Sequence, residues 1–136
     1  MESMLHLLVE SIVALHLGTY IILLLAAHFI GDFLLQSRVM ALNKTKSLYY
    51  LSLHGLFVGV PILLVFLLFE SASLALLLSV VYVIVHCTQD FFIWTTAIQL
   101  FGKSEKYWEN KRFYDIIGLD QFLHVAFLVF LATFGG

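Results

Sequence analysis

Four long apolar stretches, separated by short segments that hold most of the charged residues, dominate the pattern of the chain. Each is close to the length of about 20 residues that an α-helix needs to cross the hydrocarbon core of a bilayer. The stretches cover approximately residues 17–36, 49–69, 74–100 and 116–134. The sequence therefore predicts an all-α fold built as a four-helix transmembrane bundle, with one transmembrane domain over residues 17–136.

The N-terminal segment, residues 1–16, has a different pattern, in which polar side chains interrupt the apolar ones. Those polar side chains are Glu2, His6, Glu10 and His16. Two interpretations are open: an amphipathic helix lying in the membrane interface, or an N-terminal extension of the first span. The pair Gly18-Thr19 is a plausible break in the helix and favours the interfacial helix.

Composition supports the membrane interpretation. Hydrophobic residues make up 62% of the 136 residues and charged residues only 12%, whereas about a quarter of a soluble domain is charged. A water-soluble protein of this length could not bury so much apolar surface. The net charge of −2 argues against nucleic acid as a partner, and the single cysteine excludes an intrachain disulfide.

The basic residues predict how the spans are oriented. All lysines and arginines lie in two loops, one after the first predicted span and one after the third: Arg38, Lys44, Lys46, Lys103, Lys106, Lys111 and Arg112. By the positive-inside rule both loops face the cytoplasm, and both termini lie outside. We therefore expect a multi-pass protein whose basic loops are cytoplasmic.

Three of the predicted spans carry a histidine and an aspartate four residues apart. The pairs are His28 with Asp32, His86 with Asp90, and His124 with Asp120, and the second span carries His54. Residues four apart share one face of a helix. An ionisable group within an apolar span is costly and needs a partner, a metal ion or a functional role.

These polar residues are predicted to share one depth in the membrane. At a rise of about 1.5 Å per residue, Asp32 lies roughly 9 Å from Arg38 and Asp120 roughly 12 Å from Arg112. The other members also lie toward the basic loops, and unrelated polar residues have no reason to collect at one level. We therefore expect one shared site formed by His28, Asp32, His54, His86, Asp90, Asp120 and His124.

A weak internal repeat runs through the four spans. Each half reads HxxxD, then a basic loop, then a histidine, which is His54 in the first half and His124 in the second. This order suggests two parallel helical-hairpin repeats related by an axis along the membrane normal. The match is imperfect, because Asp120 corresponds to Tyr50 in the first half.

The chemistry of the polar set favours a metal ion. No lysine or arginine lies within the spans to neutralise the three aspartates, and a buried carboxylate must take a proton, pair with a cation or bind a metal. Imidazole and carboxylate ligands suit zinc, manganese or iron. Three carboxylates exceed the charge of one divalent ion, whereas two ions and a hydroxide would balance, which suggests a dinuclear site. The structural alternative is a set of His–Asp hydrogen bonds that hold the helices together.

Four flanking residues extend the predicted site. Gln36 and Gln121 are candidates to hydrogen-bond to the metal ligands. Arg38 and Lys44 lie near the predicted mouth of the site, where they either only set the topology or anchor an anionic head group or phosphate. Membrane lipid is therefore an expected partner.

The chain resembles a family of small bacterial integral membrane proteins known as a domain of unknown function. The likeness begins with an H-x-x-x-D-F-x-x-Q motif and covers about residues 23–130. It is carried by His28, Asp32, Phe33, Gln36, Met40, Ala41, Asn43 and Lys44, and then by His54, His86, Asp90, Asp120, Gln121 and His124. The resemblance implies a bacterial or phage-encoded protein of the inner (plasma) membrane and implies no particular activity.

Three functions are open from the sequence. The first is a membrane metal-dependent hydrolase, in which the metal activates a water for attack on a lipid or lipid-linked phosphate reached from the cytoplasmic leaflet. The second is a small transporter, or a proton or ion relay, that uses the same residues. The third is a structural subunit of a larger membrane complex. A homo-oligomer is compatible with each of them.

Overall fold

Helices make up nearly all of the computed structural model, which describes residues 2–101, 109 and 111–135. The elements in chain order are α1 (Glu2–Phe29), a π-helical turn (Ile30–Leu34), α2 (Arg38–Asn43), α3 (Leu48–Phe69), α4 (Ala72–Phe101) and α5 (Lys111–Gly135). None of the residues in these described ranges belongs to a β-strand. The prediction of an all-α fold is confirmed.

Four of the helices are long and apolar enough to cross a membrane, which confirms the predicted bundle. They cover Met4–Leu34, Leu48–Phe69, Ala72–Leu100 and Lys111–Phe134. Their outer surfaces expose large apolar side chains such as Leu68 and Phe134, whereas ionisable side chains are buried inside. This arrangement is typical of helices that lipid surrounds.

The orientation of the bundle and the identity of its membrane stay predictions, and so does the two-repeat interpretation. Two of the basic residues on which the orientation depends, Lys103 and Lys106, lie outside the described residues, as do Met1 and Gly136.

Helix α1 runs without a break through Gly18 and Thr19, where the sequence suggested that it would end. A glycine costs a helix only about 0.5–1 kcal/mol relative to alanine, which is too little to end a helix of this length. The 28 residues of α1 extend for about 42 Å, more than the roughly 30 Å of the hydrocarbon core. The interfacial position of segment 1–16 stays a prediction.

An apolar core fills one half of the bundle. All four long helices contribute to it, and its fully buried members include Val58, Ile62 and Phe66 of α3 and Leu128 of α5. In α3 these residues recur every four positions, so one face of the helix turns inward along its length. The other half of the bundle, nearer the ends of α1 and α4, receives the polar side chains.

The end of α1 passes in backbone contact with α3 at Gly31. A methyl group on Gly31 would lie 2.6 Å from Cα of Val58 and 2.8 Å from the carbonyl oxygen of Phe57. Only a residue without a side chain fits there. Gly59 of α3 lies similarly close to Val83 of α4, so small residues bring three helices together around the polar half.

A π-helical turn connects α1 to the segment that bears α2. The main-chain N–H of Leu35 donates to the carbonyl of Ile30 at 2.9 Å, which places five residues in the hydrogen-bonded turn. Such turns are frequent at functional sites, and Asp32 lies within this one. Helix α2 follows, begins after Ser37, contacts α3 and includes the buried Met40.

Candidate metal centre

All seven histidines and aspartates predicted to share a site lie together inside the bundle. They are His28, Asp32, His54, His86, Asp90, Asp120 and His124, and none exposes more than 3% of its surface. They come from the end of α1, the π-helical turn, α3, α4 and α5, so every long helix contributes. We call this set the His/Asp cluster.

Four ligand atoms form the compact centre of the His/Asp cluster: the Nε2 atoms of His54 and His86, Oδ1 of Asp32 and Oδ2 of Asp90. The Nε2 atom of His54 lies 2.9 Å from Asp90, 3.0 Å from His86 and 3.2 Å from Asp32. The Nε2 atom of His86 lies 3.6 Å from each carboxylate oxygen. These four residues, which we call the inner group, could hold a metal ion.

Two further sets of three possible ligands adjoin the inner group. One consists of His28, Asp32 and His124, and the other of Asp90, Asp120 and His124. Within each set, one ligand atom from each residue lies within 4.8 Å of the others. Because each set shares one aspartate with the inner group, the sets form a single connected cluster.

His28 is hydrogen-bonded at both ring nitrogens. Its Nδ1 lies 3.0 Å from the hydroxyl oxygen of Tyr82, and its Nε2 lies 3.1 Å from Oε1 of Gln121. The amide nitrogen of Gln121 donates to Oδ2 of Asp32 at 2.7 Å and to Oδ2 of Asp120 at 3.3 Å. Gln121 therefore connects three members of the His/Asp cluster.

Tyr82 belongs to the site although the sequence patterns above do not predict it. A signal was present, because Tyr82, His86 and Asp90 are each four residues apart and form one stripe along α4. A tyrosine within an apolar helix is ordinarily a core residue, however, and Tyr82 does also pack against the apolar core. The sequence of α4 alone does not reveal this role, because the hydrogen-bond partner of the hydroxyl, His28, comes from α1.

Lys44 lies inside the bundle, whereas the sequence left it either as a topology signal or as an anchor for an anionic head group. Only 6% of its surface is exposed, and its Nζ lies 2.7 Å from both carboxylate oxygens of Asp90. The cause is local: Met40 is buried, and Lys44, one helical turn later, points to the same side. Lys44 thus forms an ion pair within the bundle, whereas the head-group role considered for the exposed Arg38 stays a prediction.

The buried ammonium group changes the charge balance of the His/Asp cluster. Three ionised aspartates carry −3, and Lys44 brings the sum to −2 when the histidines are neutral. One divalent cation is therefore enough to neutralise the cluster. Two ions and a hydroxide are therefore not needed for neutrality, because the cluster contains a buried cation that the sequence patterns did not place there.

Gln36 contacts the backbone of the site and not a ligand side chain. Its amide nitrogen donates to the main-chain carbonyl of Asp32 at 3.0 Å. A hydrogen bond from Gln36 to a candidate ligand side chain is therefore absent, and Gln36 lies beyond the C-terminal end of the π-helical turn. Gln36 instead hydrogen-bonds to a main-chain carbonyl within that turn.

Six of the seven cluster members have a polar atom without a hydrogen-bond partner among the described residues, and His124 and Asp120 are the two of these that lie outside the inner group. His124 is fully buried, and neither of its ring nitrogens makes a hydrogen bond. Its Nδ1 lies 4.0 Å from Oδ2 of Asp120, whose other oxygen, Oδ1, also lacks a partner. The ring of His124 stacks on that of His86 with 4.0 Å between centroids, so the unpartnered atoms adjoin the inner group.

Comparison with known protein families matches residues 20–135 to one family, described as a protein of unknown function (DUF3307). The chain belongs to this family. The matched range contains every member of the His/Asp cluster, and the family resemblance inferred from the motifs is confirmed. No curated protein and no solved structure matches the chain.

Proposed function

We propose that the protein is a membrane-embedded metalloprotein that binds a divalent cation, foremost zinc, in the inner group. The observation that carries the proposal is the spacing of the four ligand atoms, of which five separations run from 2.9 to 3.6 Å. A tetrahedral zinc ion with bonds of about 2.0 Å needs its ligand atoms about 3.3 Å apart. The inner group therefore has both the spacing and the ligand types of a zinc site.

Hydrogen bonding alone accounts poorly for the inner group. The Nε2 atom of His54 has three close neighbours, which are the Nε2 of His86 and one oxygen each of Asp32 and Asp90. An imidazole Nε2 carries at most one proton, so it cannot donate to all three of these acceptors. A cation between the four atoms would satisfy all of them together. This favours metal binding over a purely structural set of His–Asp bonds.

We further propose that the protein hydrolyses a lipid or lipid-linked phosphate. A divalent cation in such a site supplies a water activated for nucleophilic attack. Asp120 and His124 adjoin the inner group with unpaired polar atoms, and such groups suit the binding of that water and of its phosphate substrate. The exposed Arg38, near the same end of the bundle, suits an anionic head group.

A relay or transport path across the membrane has less support. The hydrogen-bonded cluster reaches only as far as Tyr82. Beyond this residue the described part of the bundle is filled by the apolar core, which includes Leu24, Ile62 and Leu128. Movement of protons or ions through that half would need polar groups or water along its length.

Elemental analysis of the purified protein in detergent tests the metal proposal. We expect one or more equivalents of a divalent metal per chain in the wild type, and loss of that metal in His54→Ala and Asp90→Asn. The matched control is His6→Ala, because His6 is exposed at the far end of α1. Helical circular dichroism checks that each variant is folded. A metal-free wild type, or full metal in folded His54→Ala, would overturn the proposal.

Phosphate release from phospholipids and polyprenyl phosphates in mixed micelles tests the hydrolase proposal. We expect release that a chelator abolishes and that zinc restores. The variant Asp120→Asn should retain the metal of the inner group and lose turnover. If no such phosphate is hydrolysed by metal-loaded protein, the hydrolase proposal falls and the metal proposal stands.

A further inference from the structure

We propose that Asp90, Asp120 and His124 form a second divalent-cation position beside the inner group, and that this position fills together with a phosphate group. The inference rests on the proposed function for the first cation. It goes beyond that function because it assigns a second site and the chemical class of its ligand.

The first observation is the state of His124. The side chain is fully buried, and both of its ring nitrogens lack a hydrogen-bond partner among the described residues. A buried polar group without a partner is costly in a bundle surrounded by lipid. A lone pair directed at a cation removes this cost, and one oxygen each of Asp90 and Asp120 lies within 4.8 Å of a His124 nitrogen.

The second observation distinguishes this set from its neighbour. In the set of His28, Asp32 and His124, both nitrogens of His28 are already hydrogen-bonded, and Oδ2 of Asp32 accepts from the amide of Gln121. In the set with Asp120, the Oδ1 atom of that residue lacks a partner. His124 is common to both sets and Asp90 is paired with Lys44, so the unpartnered Oδ1 of Asp120 is what favours the set of Asp90, Asp120 and His124.

Charge decides what must accompany the second cation. With Lys44 paired to Asp90, the ionised cluster carries −2, and a first divalent cation brings it to zero. A second divalent cation leaves the buried site at +2, which is unfavourable inside a membrane. A phosphomonoester carries close to two negative charges near neutral pH. It restores neutrality, and its oxygens supply the ligands that a three-residue set lacks.

The test counts bound Co²⁺ per chain after equilibrium dialysis of the full-length protein in detergent, with and without a phosphate source. The sources are inorganic phosphate, phosphatidic acid in the micelle, and phosphatidylcholine, which has no net charge, as the control. The wild type is expected to bind one ion alone and two with inorganic phosphate or phosphatidic acid. His124→Ala and the isosteric Asp120→Asn are expected to bind one ion in every condition, and His6→Ala to behave as the wild type.

Each outcome has a distinct meaning. If only phosphatidic acid raises the count to two, a lipid head group is the source of the phosphate; if inorganic phosphate alone suffices, the source is the free anion. A wild type that stays at one ion in all conditions overturns the second position and leaves the proposed function intact. A wild type that binds no ion overturns both. Two ions without any phosphate, or two ions in folded Asp120→Asn, overturn the coupling or the residue assignment.

Discussion

The substitution Gly31→Ala tests whether the site depends on the close approach of α1 and α3. The added methyl carbon would lie 2.6 Å from Cα of Val58 and 2.8 Å from the carbonyl oxygen of Phe57. Carbon atoms in contact are normally about 3.5–4.0 Å apart, so the two backbones must separate by about 1 Å. Both obstructing atoms belong to the main chain, and a side-chain rotation therefore cannot relieve the contact.

This separation has consequences for stability and for the metal. Overpacking of a close-packed interior costs about 1–3 kcal/mol, and we expect a loss of this size. Asp32 adjoins Gly31, and its Oδ1 lies 3.2 Å from Nε2 of His54 on the opposing helix. A displacement of about 1 Å exceeds the roughly 0.2 Å within which metal–ligand distances are held. We therefore expect zinc affinity to fall at least tenfold.

The assay compares the wild type, Gly31→Ala and Gly118→Ala. Unfolding in detergent is followed by circular dichroism as sodium dodecyl sulfate is added, and zinc affinity is measured by competition with a chromophoric chelator. Gly118 of α5 is the matched control, because a methyl group there meets no atom within 4 Å. In a helix its replacement by alanine should be neutral or stabilise by up to about 1 kcal/mol.

Equal stability and equal zinc affinity of the two alanine variants would refute the reasoning. Loss of stability with unchanged zinc affinity would show that the helices separate without moving the ligands. That result would contradict the inferred link between the crossing and the inner group.

Three further predictions concern residues around the His/Asp cluster. Lys44→Met leaves Asp90 without its buried cation. The free energy of unfolding, measured with and without chelator, should fall by about 3–5 kcal/mol in the metal-free protein and by less in the zinc-loaded protein. An equal loss in both forms would contradict this. Tyr82→Phe leaves His28 one hydrogen bond short and should cost about 1–3 kcal/mol in the same assay, and a neutral effect would contradict the contact. Gln36→Leu removes only a hydrogen bond to a main-chain carbonyl, so metal content should stay at the wild-type level. Loss of the metal in this variant would show that Gln36 supports the metal ligands.

Matched controls for two of these changes lie nearby in the chain. Lys46→Met removes a lysine that is exposed and two residues from Lys44. Tyr49→Phe removes a hydroxyl from a tyrosine that is 68% exposed. Both controls should leave the free energy of unfolding within about 0.5 kcal/mol of the wild type.

The membership of the His/Asp cluster could be predicted because depth follows directly from position in the chain. Apolar length locates each span, and the rise per residue then gives the level of Asp32 or Asp120 relative to the nearest basic residue. When four helices carry polar groups at one level, the helices pack with those groups facing each other. Lipid on the outside makes any other rotation costly.

The pairing of the individual side chains could not be predicted in the same way. Lys44 follows the short helix α2 in a loop. The direction of its side chain depends on the burial of Met40, and the hydropathy pattern does not predict that burial. The charge of the cluster therefore differed from the expected value by one unit. The helix also ends between Asp32 and Gln36, so Gln36 does not follow the helical spacing that the motif suggested.

The helix break that the sequence suggested at Gly18 is wrong for a different reason. A glycine followed by a threonine is a reasonable end signal in an aqueous loop. Within an apolar segment, however, ending the helix would leave main-chain groups without partners. The helix of α1 therefore continues through Gly18, since the cost of the glycine is smaller than that of the exposed groups.

The ion pair between Lys44 and Asp90 joins residues that are 46 positions apart, and this separation has a consequence for biogenesis. When the segment that bears Lys44 leaves the ribosome, Asp90 has not yet been made, so the ammonium group must stay in water or among lipid head groups. It can enter the bundle only after α4 has been inserted. Acylation of Lys44 by a membrane-impermeant reagent, applied to nascent chains of increasing length, should therefore stop once α4 is in the membrane.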